Sequence, residues 1–165
     1  MSVRPIVLWP DPRLSEICAP VDDVAAAEVL IGDMFETMYA APGRGLAAPQ
    51  VGVMQRIFVM DATWKEGEMS PLACINPEIV ALGGSSANEE ACLSIPGVSA
   101  EVVRAAEIRL SYTDISGAPK VVELGGFAAI CAQHEMDHLN GRVIFDHLNP
   151  EDRAALHARY EGMMT

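Results

Sequence analysis

"CAQHEMDHLNG", residues 131–141, sets His134 and His138 four apart, with Glu135 beside the first. Preceded by "GGFAAI", it predicts a helix from Gly126 to Leu139, with Asn140 and Gly141 as its C-terminal cap. Residues four apart sit one turn apart on the same face, close enough to pinch one ion. Phe127, Cys131, His134 and His138 continue one apolar stripe, so both imidazoles are expected to face the interior. Glu135 is turned about 100° from His134. It therefore lies beside a metal rather than on it, where a general base for metal-activated water belongs. The alternative is a helix with two hydrogen-bonded core histidines and an incidental glutamate. Two uncompensated imidazoles on an apolar face would be costly, which weighs against it.

A catalytic site of this type needs three protein ligands and an open position. The metzincin pattern would place a third histidine three residues after Gly141, but that residue is Ile144. His147 lies beyond the helix end and reads as solvated or capping, and His157 reads as surface. Cys131 shares the face, but its seven-residue separation from His138 is about 10.5 Å of helical rise. Cys92 remains, in "EEACLSIPG" (89–97). A Gly-Ser-rich turn precedes it and a Pro-Gly turn follows, so it occupies a short extended segment able to lie against the helix. From the residues alone it is either ligand or buried filler.

Further out, 165 residues suit one domain spanning 1–165, with a core that needs no disulfide or metal staple. Half the residues are hydrophobic and the net charge is -12. The first value argues against disorder and the second against a nucleic-acid-binding face. The start, "MSVRPIVLWPDPRL", has no long apolar run, so neither a signal peptide nor a membrane span is expected. Cys18, Cys74, Cys92 and Cys131 show no disulfide-framework spacing, which suggests a reducing, cytoplasmic setting.

The periodicity predicts a helix over 22–43, capped by Asp22 or Asp23 and stopped by Pro42-Gly43. "RIFVMDA" (56–62) and "INPEIVAL" (75–82) read as strands. "EVVRAAEIRLSYTD" (101–114) and "KVVEL" (120–124) flank "ISGAP" as a hairpin. "RVIFDHL" (142–148) reads as a short strand, and "NPEDRAALHARYEG" (149–162) as a helix with Asn149 as N-cap and Pro150 first. Strands and helices without βαβ regularity indicate an α+β fold.

"GRGLAAPQ" (43–50), "EACLS" (90–94) and "QHEMDHLNG" (133–141) resemble the three signature motifs of the peptide deformylases, in that family's order and spacing. The similarity covers nearly the whole chain. It implies a deformylase-like α+β fold, with antiparallel or mixed sheets packed around a central metal-binding HExxH helix. It also implies a metal held by Cys92, His134 and His138. In the family that metal is typically Fe2+, with Zn2+, Ni2+ or Co2+ able to substitute, and a thiolate suits such ions better than Mg2+ or Ca2+. By resemblance, Glu135 relays the proton while an N-formyl group is hydrolysed from an N-terminal formylmethionine, releasing formate. Gln50 and the backbone N–H of Leu93 stabilise the oxyanion. Gly43, Gly45 and Arg44 border the substrate, the glycines permitting close backbone approach.

Two departures fall on the substrate edge. Ala91 stands where the family has glycine, and Ser99 where many relatives have an arginine that holds the substrate main chain. They leave open a deformylase-like paralogue acting on another N-acylated substrate, or one of weak activity. A non-catalytic metal-stabilised binding module would instead close the metal with a fourth protein ligand. Asp137 and Arg104 are either a pair supporting the helix or solvated charges. The expected partner is a formylmethionyl peptide or nascent chain. The offset charges of the last helix argue against ribosome docking through it, and a monomer is expected.

Overall fold

A computed structural model describes residues 2–165. Its strands are β1 (Gly45–Ala47), β2 (Ile57–Met60), β3 (Leu72–Gly83), β4 (Ser86–Cys92), β5 (Ile95–Arg104), β6 (Glu107–Thr113) and β7 (Pro119–Gly125). Its α-helices are α1 (Glu28–Ala40), α2 (Gly126–Leu139) and α3 (Pro150–Met164). The expected α+β class holds.

An antiparallel sheet runs β1-β2-β3-β6-β7, and β4 and β5 form a separate hairpin. α2 packs on the sheet through Ala129, Cys131, Ala132, Met136 and Leu139, against Phe58, Met60, Cys74, Ile108 and Leu110. α1 covers the other end, with Leu30, Ile31, Met34 and Met38 against Leu46, Ile57 and Val59. A third apolar cluster joins the hairpin (Ile95, Val98, Val102) to Val143, Ile144, Phe145 and Tyr160. Among the described residues no helix is long and apolar enough to cross a membrane.

Asn76 bends β3. It has φ 49°, and its side chain accepts from Val21 N (2.8 Å) and donates to Val21 O (3.0 Å), where the pairing with β6 shifts register. An asparagine tolerates this left-handed turn because its amide replaces the lost ladder bonds. α2 ends as the sequence predicts. Gly141 has φ 73°, Arg142 N donates to Asp137 O (2.9 Å) and Gly141 N to His138 O (3.2 Å), a Schellman closure. Asn149 caps α3 by accepting from Asp152 N at 2.8 Å.

Several expectations need correction. "RVIFDHL" is no strand: Ile144–His147 is a 3-10 turn, because Asp146 Oδ2 captures Val143 N (2.8 Å) and Asp146 N bonds back to Val143 O (3.0 Å). α1 starts at Glu28 rather than near Asp22. A 3-10 turn over Ala25–Ala27 precedes it, and Asp23 Oδ1 accepts from Ala26 N (3.3 Å). "EVVRAAEIRLSYTD" breaks at Ala105-Ala106 into the end of β5 and all of β6, which lie in different sheets. Phe127 does not face the interior. It is 50% exposed, since the first turn of α2 overhangs a cleft.

Candidate active site

Three elements converge on one point. α2 supplies His134 and His138, the last residue of β4 supplies Cys92, and the 3-10 turn Ala48–Val51 after β1 supplies Gln50. Cys92 Sγ lies 3.3 Å from His138 Nε2, which lies 3.3 Å from His134 Nε2. The three donor atoms are all within 4.8 Å of one another. The β4–β5 turn begins right after Cys92.

These donors fit a divalent ion. Two imidazole nitrogens each about 2.0–2.1 Å from a tetrahedral ion stand about 3.3–3.4 Å apart, matching the 3.3 Å between the Nε2 atoms. One soft sulfur and two imidazoles select a transition metal over calcium or magnesium. His134 Nδ1–H donates to Glu90 Oε1 (2.9 Å), which fixes its tautomer and leaves the Nε2 lone pair aimed at the shared point. Burial opposes ionisation of the Cys92 thiol, but the two neighbouring imidazoles outweigh it and bring its pKa down to about 5. The sulfur is thus prepared to ligate as thiolate.

Glu135 is 4% exposed, and burial pushes its carboxyl upward despite the pull of His134 and His138. Among the described residues its Oε1 has no hydrogen-bond partner. An unpartnered buried carboxylate oxygen beside three metal donors is a proton acceptor waiting for a reactant. Gln50, 1% exposed, is locked in place: its Oε1 accepts from Ala47 N (2.9 Å), and Nε2 donates to Ser94 Oγ (3.1 Å) and, at 3.6 Å, to Cys92 Sγ.

The site opens into a cleft of about 550 Å³ whose walls include Gly43, Arg44, Gly45, Lys65, Glu89, Ala91, Leu93, Phe127, Ile130 and Cys131. A Cβ on Gly45 would meet Glu135 Oε2 at 2.5 Å and Cys131 Sγ at 2.7 Å; one on Gly43 would meet Leu93 Cδ1 at 2.7 Å. The glycines therefore let backbone pass close to the carboxylate. Arg44 is not free in solvent, because it pairs with Glu66 (2.9 Å), donates to Ala62 O (2.8 Å) and covers the Phe127 ring. Ser99 lies off the cleft, opposite Ala91 in the hairpin, with its Oγ donating to Glu89 Oε2 (2.9 Å). Cys131 lines the cleft without joining the three donors.

Behind His134 runs a chain of charge. Arg104 Nε and Nη2 donate to Glu90 (2.5 and 2.8 Å), and its Nη1 donates to Asp137 (3.0 Å). Arg104 and Asp137 thus form the supporting pair rather than solvated charges. His147 completes the chain by donating from Nε2 to Asp137 Oδ2 at 2.6 Å, so it is neither solvated nor a helix cap. His157 is not simply surface either; its ring packs edge-on against Trp9 and Phe145. Sequence reasoning missed Glu90. Its signal was present, because residues two apart on a strand share a face, and Glu90 and Cys92 both point inward from β4. Ser94, which anchors Gln50, left no comparable signal.

An HExxH helix, a cysteine from a hairpin and an unpartnered glutamate open to a cleft define a mononuclear metallohydrolase centre. Comparison with known proteins specifies it. The polypeptide deformylase family model matches residues 3–154. A peptide deformylase of Alkalilimnicola ehrlichii is 45% identical, over 99% of this chain and 92% of that protein. One from Rhodopseudomonas palustris is 46% identical, over 98% and 94%. The crystal structure of peptide deformylase from Ehrlichia chaffeensis in complex with actinonin superposes with a TM-score of 0.93 at 40% identity, covering 99% of this chain and 98% of that one. The chain belongs to the polypeptide deformylase family.

Proposed function

We propose that the chain hydrolyses the formyl group from the N-terminal formylmethionine of peptides, through an Fe2+ ion held by Cys92, His134 and His138. The observation that carries this reading is the unpartnered Glu135 Oε1, buried beside three converging donors and facing the cleft. The ion, when bound, supplies Lewis acidity that makes water a nucleophile near neutral pH. The softness of the thiolate favours iron, zinc, nickel or cobalt over magnesium or calcium, and iron is the choice that family likeness supports.

Glu135 takes the proton from the attacking water at a carboxylate oxygen. Burial raises its pKa, which makes it a stronger proton acceptor than an exposed carboxylate. It then delivers that proton to the departing amine nitrogen as the C–N bond breaks, so formate and a free amino terminus leave together. Negative charge on the formyl oxygen meets Gln50 Nε2 and the Leu93 N–H. The long 3.6 Å contact of Gln50 to Cys92 is the bond that yields, while Ser94 and Ala47 keep the amide in place. Glu90 holds His134 in the ligating tautomer.

The methionine side chain suits the apolar part of the cleft, where Ile130, Cys131 and Leu93 meet Phe127. Ala91 favours a second reading, a deformylase with altered substrate preference, because it lines the cleft where the family motif has glycine. The four cysteines are free thiols, which suits the reducing cytosol where we place it. We expect a monomer that does not dock on the ribosome through α3, whose Glu151, Asp152 and Glu161 offset Arg153 and Arg159.

The test is release of free amine from a formyl-Met peptide by anaerobically purified, iron- or nickel-loaded protein. Glu135→Gln is expected to lower turnover by about 100- to 10,000-fold while the metal stays bound. Turnover at the Glu135→Gln level in the unaltered protein would defeat the reading.

A further inference from the structure

Among the described residues the cleft has one cation, Lys65, without an ion-pair partner. The chain carries 11 Lys and Arg against 23 Asp and Glu, and the arginines near the site are engaged. Arg104 is bound to Glu90 and Asp137, and Arg44 to Glu66. Lys65 lines the mouth of the cleft and is exposed, and no carboxylate among the described residues forms an ion pair with it. In a protein this acidic, an unpaired ammonium beside the substrate channel is a local reversal of the surrounding field.

The cation has an aromatic platform beside it. Its Nζ lies 5.7 Å from the centroid of the Trp64 ring, a cation–π distance. Trp64 is itself pinned: its Nε1 donates to Gly43 O (2.9 Å), and its ring meets Tyr39 edge-on at 5.2 Å. Tyr39 in turn donates to Asp61 Oδ2 (2.6 Å), and Asp61 Oδ1 accepts from Ser70 N (3.0 Å) where the loop returns. Through Gly43, the platform under Lys65 is bonded to the backbone that lines the cleft. Glu89 also lines the cleft, but its carboxylate accepts from Ser99 Oγ (2.9 Å) rather than pairing with Lys65.

We propose that Lys65 is a specificity-determining residue that favours formyl peptides carrying an acidic side chain shortly after the first residue. The proposal rests on the formyl-peptide reading above and deepens it. The deep part of the cleft, near Cys131 and Glu135, is occupied by the formylmethionine. Lys65 stands at the mouth, where the following residues leave. An acidic side chain there gains an ion pair that its isosteric amide lacks. For an exposed pair the gain is about two- to fivefold in kcat/KM, all of it from binding. It shows in KM rather than kcat, because the contact is remote from the reacting carbonyl and is made equally in ground and transition states.

Four C-terminally amidated formyl tetrapeptides test this: formyl-Met followed by Glu or Gln at the second position, and by Glu or Gln at the third. Amidation leaves the side chain as the only carboxylate. With the metal-loaded enzyme at low salt, Glu is expected to exceed Gln by about two- to fivefold in kcat/KM at one of the two positions. The excess is expected to disappear near 1 M salt, where the screening length falls to about 3 Å. Lys65→Gln is expected to remove the preference and Lys65→Glu to invert it; both sit on an exposed side chain and spare the fold. Equal rates for Glu and Gln at both positions, or an acid preference that survives in Lys65→Glu, would overturn the proposal. Failure to turn over even the Gln peptides would overturn the formyl-peptide reading and the proposal with it.

Discussion

At the scale of single residues, the site depends on what is missing as much as on what is present. Gly45 has no side chain because Glu135 and Cys131 occupy the space a Cβ would take, at 2.5 and 2.7 Å. Both side chains come from α2, and Glu135 has the longer and more flexible one, so its carboxylate is the group that gives way. We expect Gly45→Ala to push Glu135 from its position and cut kcat by about tenfold or more, since small displacements of a catalytic group cost that much. Metal content should stay normal, because none of the three donors touches Gly45. Steady-state kinetics with metal analysis of the same preparation checks it, and a variant with unchanged kcat would show that the carboxylate has room. His134, His138 and Glu135 were readable from residue type and spacing, whereas Cys92 read as either ligand or buried filler until the family likeness assigned it. Gln50, Leu93 and the glycines came only through likeness to a family, since a glycine-rich turn has many uses and no residue in it announces chemistry.

At the scale of elements, α2 must stop where it does for the site to form. Gly141 has φ 73°, and a Cβ there would stand 2.8 Å from the backbone of Ser15. Both the conformation and the contact exclude a side chain. The left-handed geometry alone costs a non-glycine residue about 1–2 kcal/mol, and rigid backbone at that distance adds to it. Gly141→Ala is therefore expected to lower stability by more than about 2 kcal/mol, seen as a drop in the urea midpoint; a loss under 0.5 kcal/mol would mean the N-terminal segment gives way freely. This cap was legible, as were the α3 cap at Asn149 and the β6–β7 hairpin. Local hydrogen-bonding chemistry specifies each of them within a few residues. "RVIFDHL" misled for the complementary reason. Its apolar run suits a strand or a buried turn equally, and only Asp146, closing on Val143, decides for the turn. The break at Ala105-Ala106 was hidden similarly, because two alanines carry no turn signal. There the chain leaves the hairpin for the main sheet, and Gln133 holds the corner by donating to Ala105 O (2.9 Å) and accepting from Ala105 N (3.1 Å).

At the scale of the whole molecule, the buried charge chain ties the hairpin, the metal helix and the turn at His147 into one unit. Glu90, Arg104, Asp137 and His147 come from β4, β5, α2 and the 3-10 turn after it. Removing one partner from such a buried set costs more than the pair contributes, because the remaining charge is stranded away from water. Acid removes the carboxylate charges without mutation. Burial pushes both carboxyls up, but bonds to His134 and Arg104 hold Glu90 below its ordinary 4.5, and bonds to His147 and Arg104 hold Asp137 below 3.8. A carboxyl lowered by folding stabilises fully above its ordinary pKa, and that stabilisation is lost as pH falls through the lowered value. Asp11, brought down to about 2 by Arg13, adds in the same direction at the surface. Glu135, raised by burial, acts in the opposite sense and partly offsets them. In metal-free protein the Cys92 thiol, brought down to about 5, already loses stabilisation as pH falls from 7 towards 5, and the carboxylates add a steeper loss below about pH 4. Urea midpoints on metal-free protein across that range separate this loss from metal release. Glu90→Gln, which has no proton to gain at that site, is expected to start less stable at pH 7. Below pH 4 it should lose stability more slowly, by up to about 1.4 kcal/mol per pH unit. Parallel pH curves for the two proteins would show that Glu90 titrates alike in folded and unfolded chains, and that the charge chain does not bind these elements together.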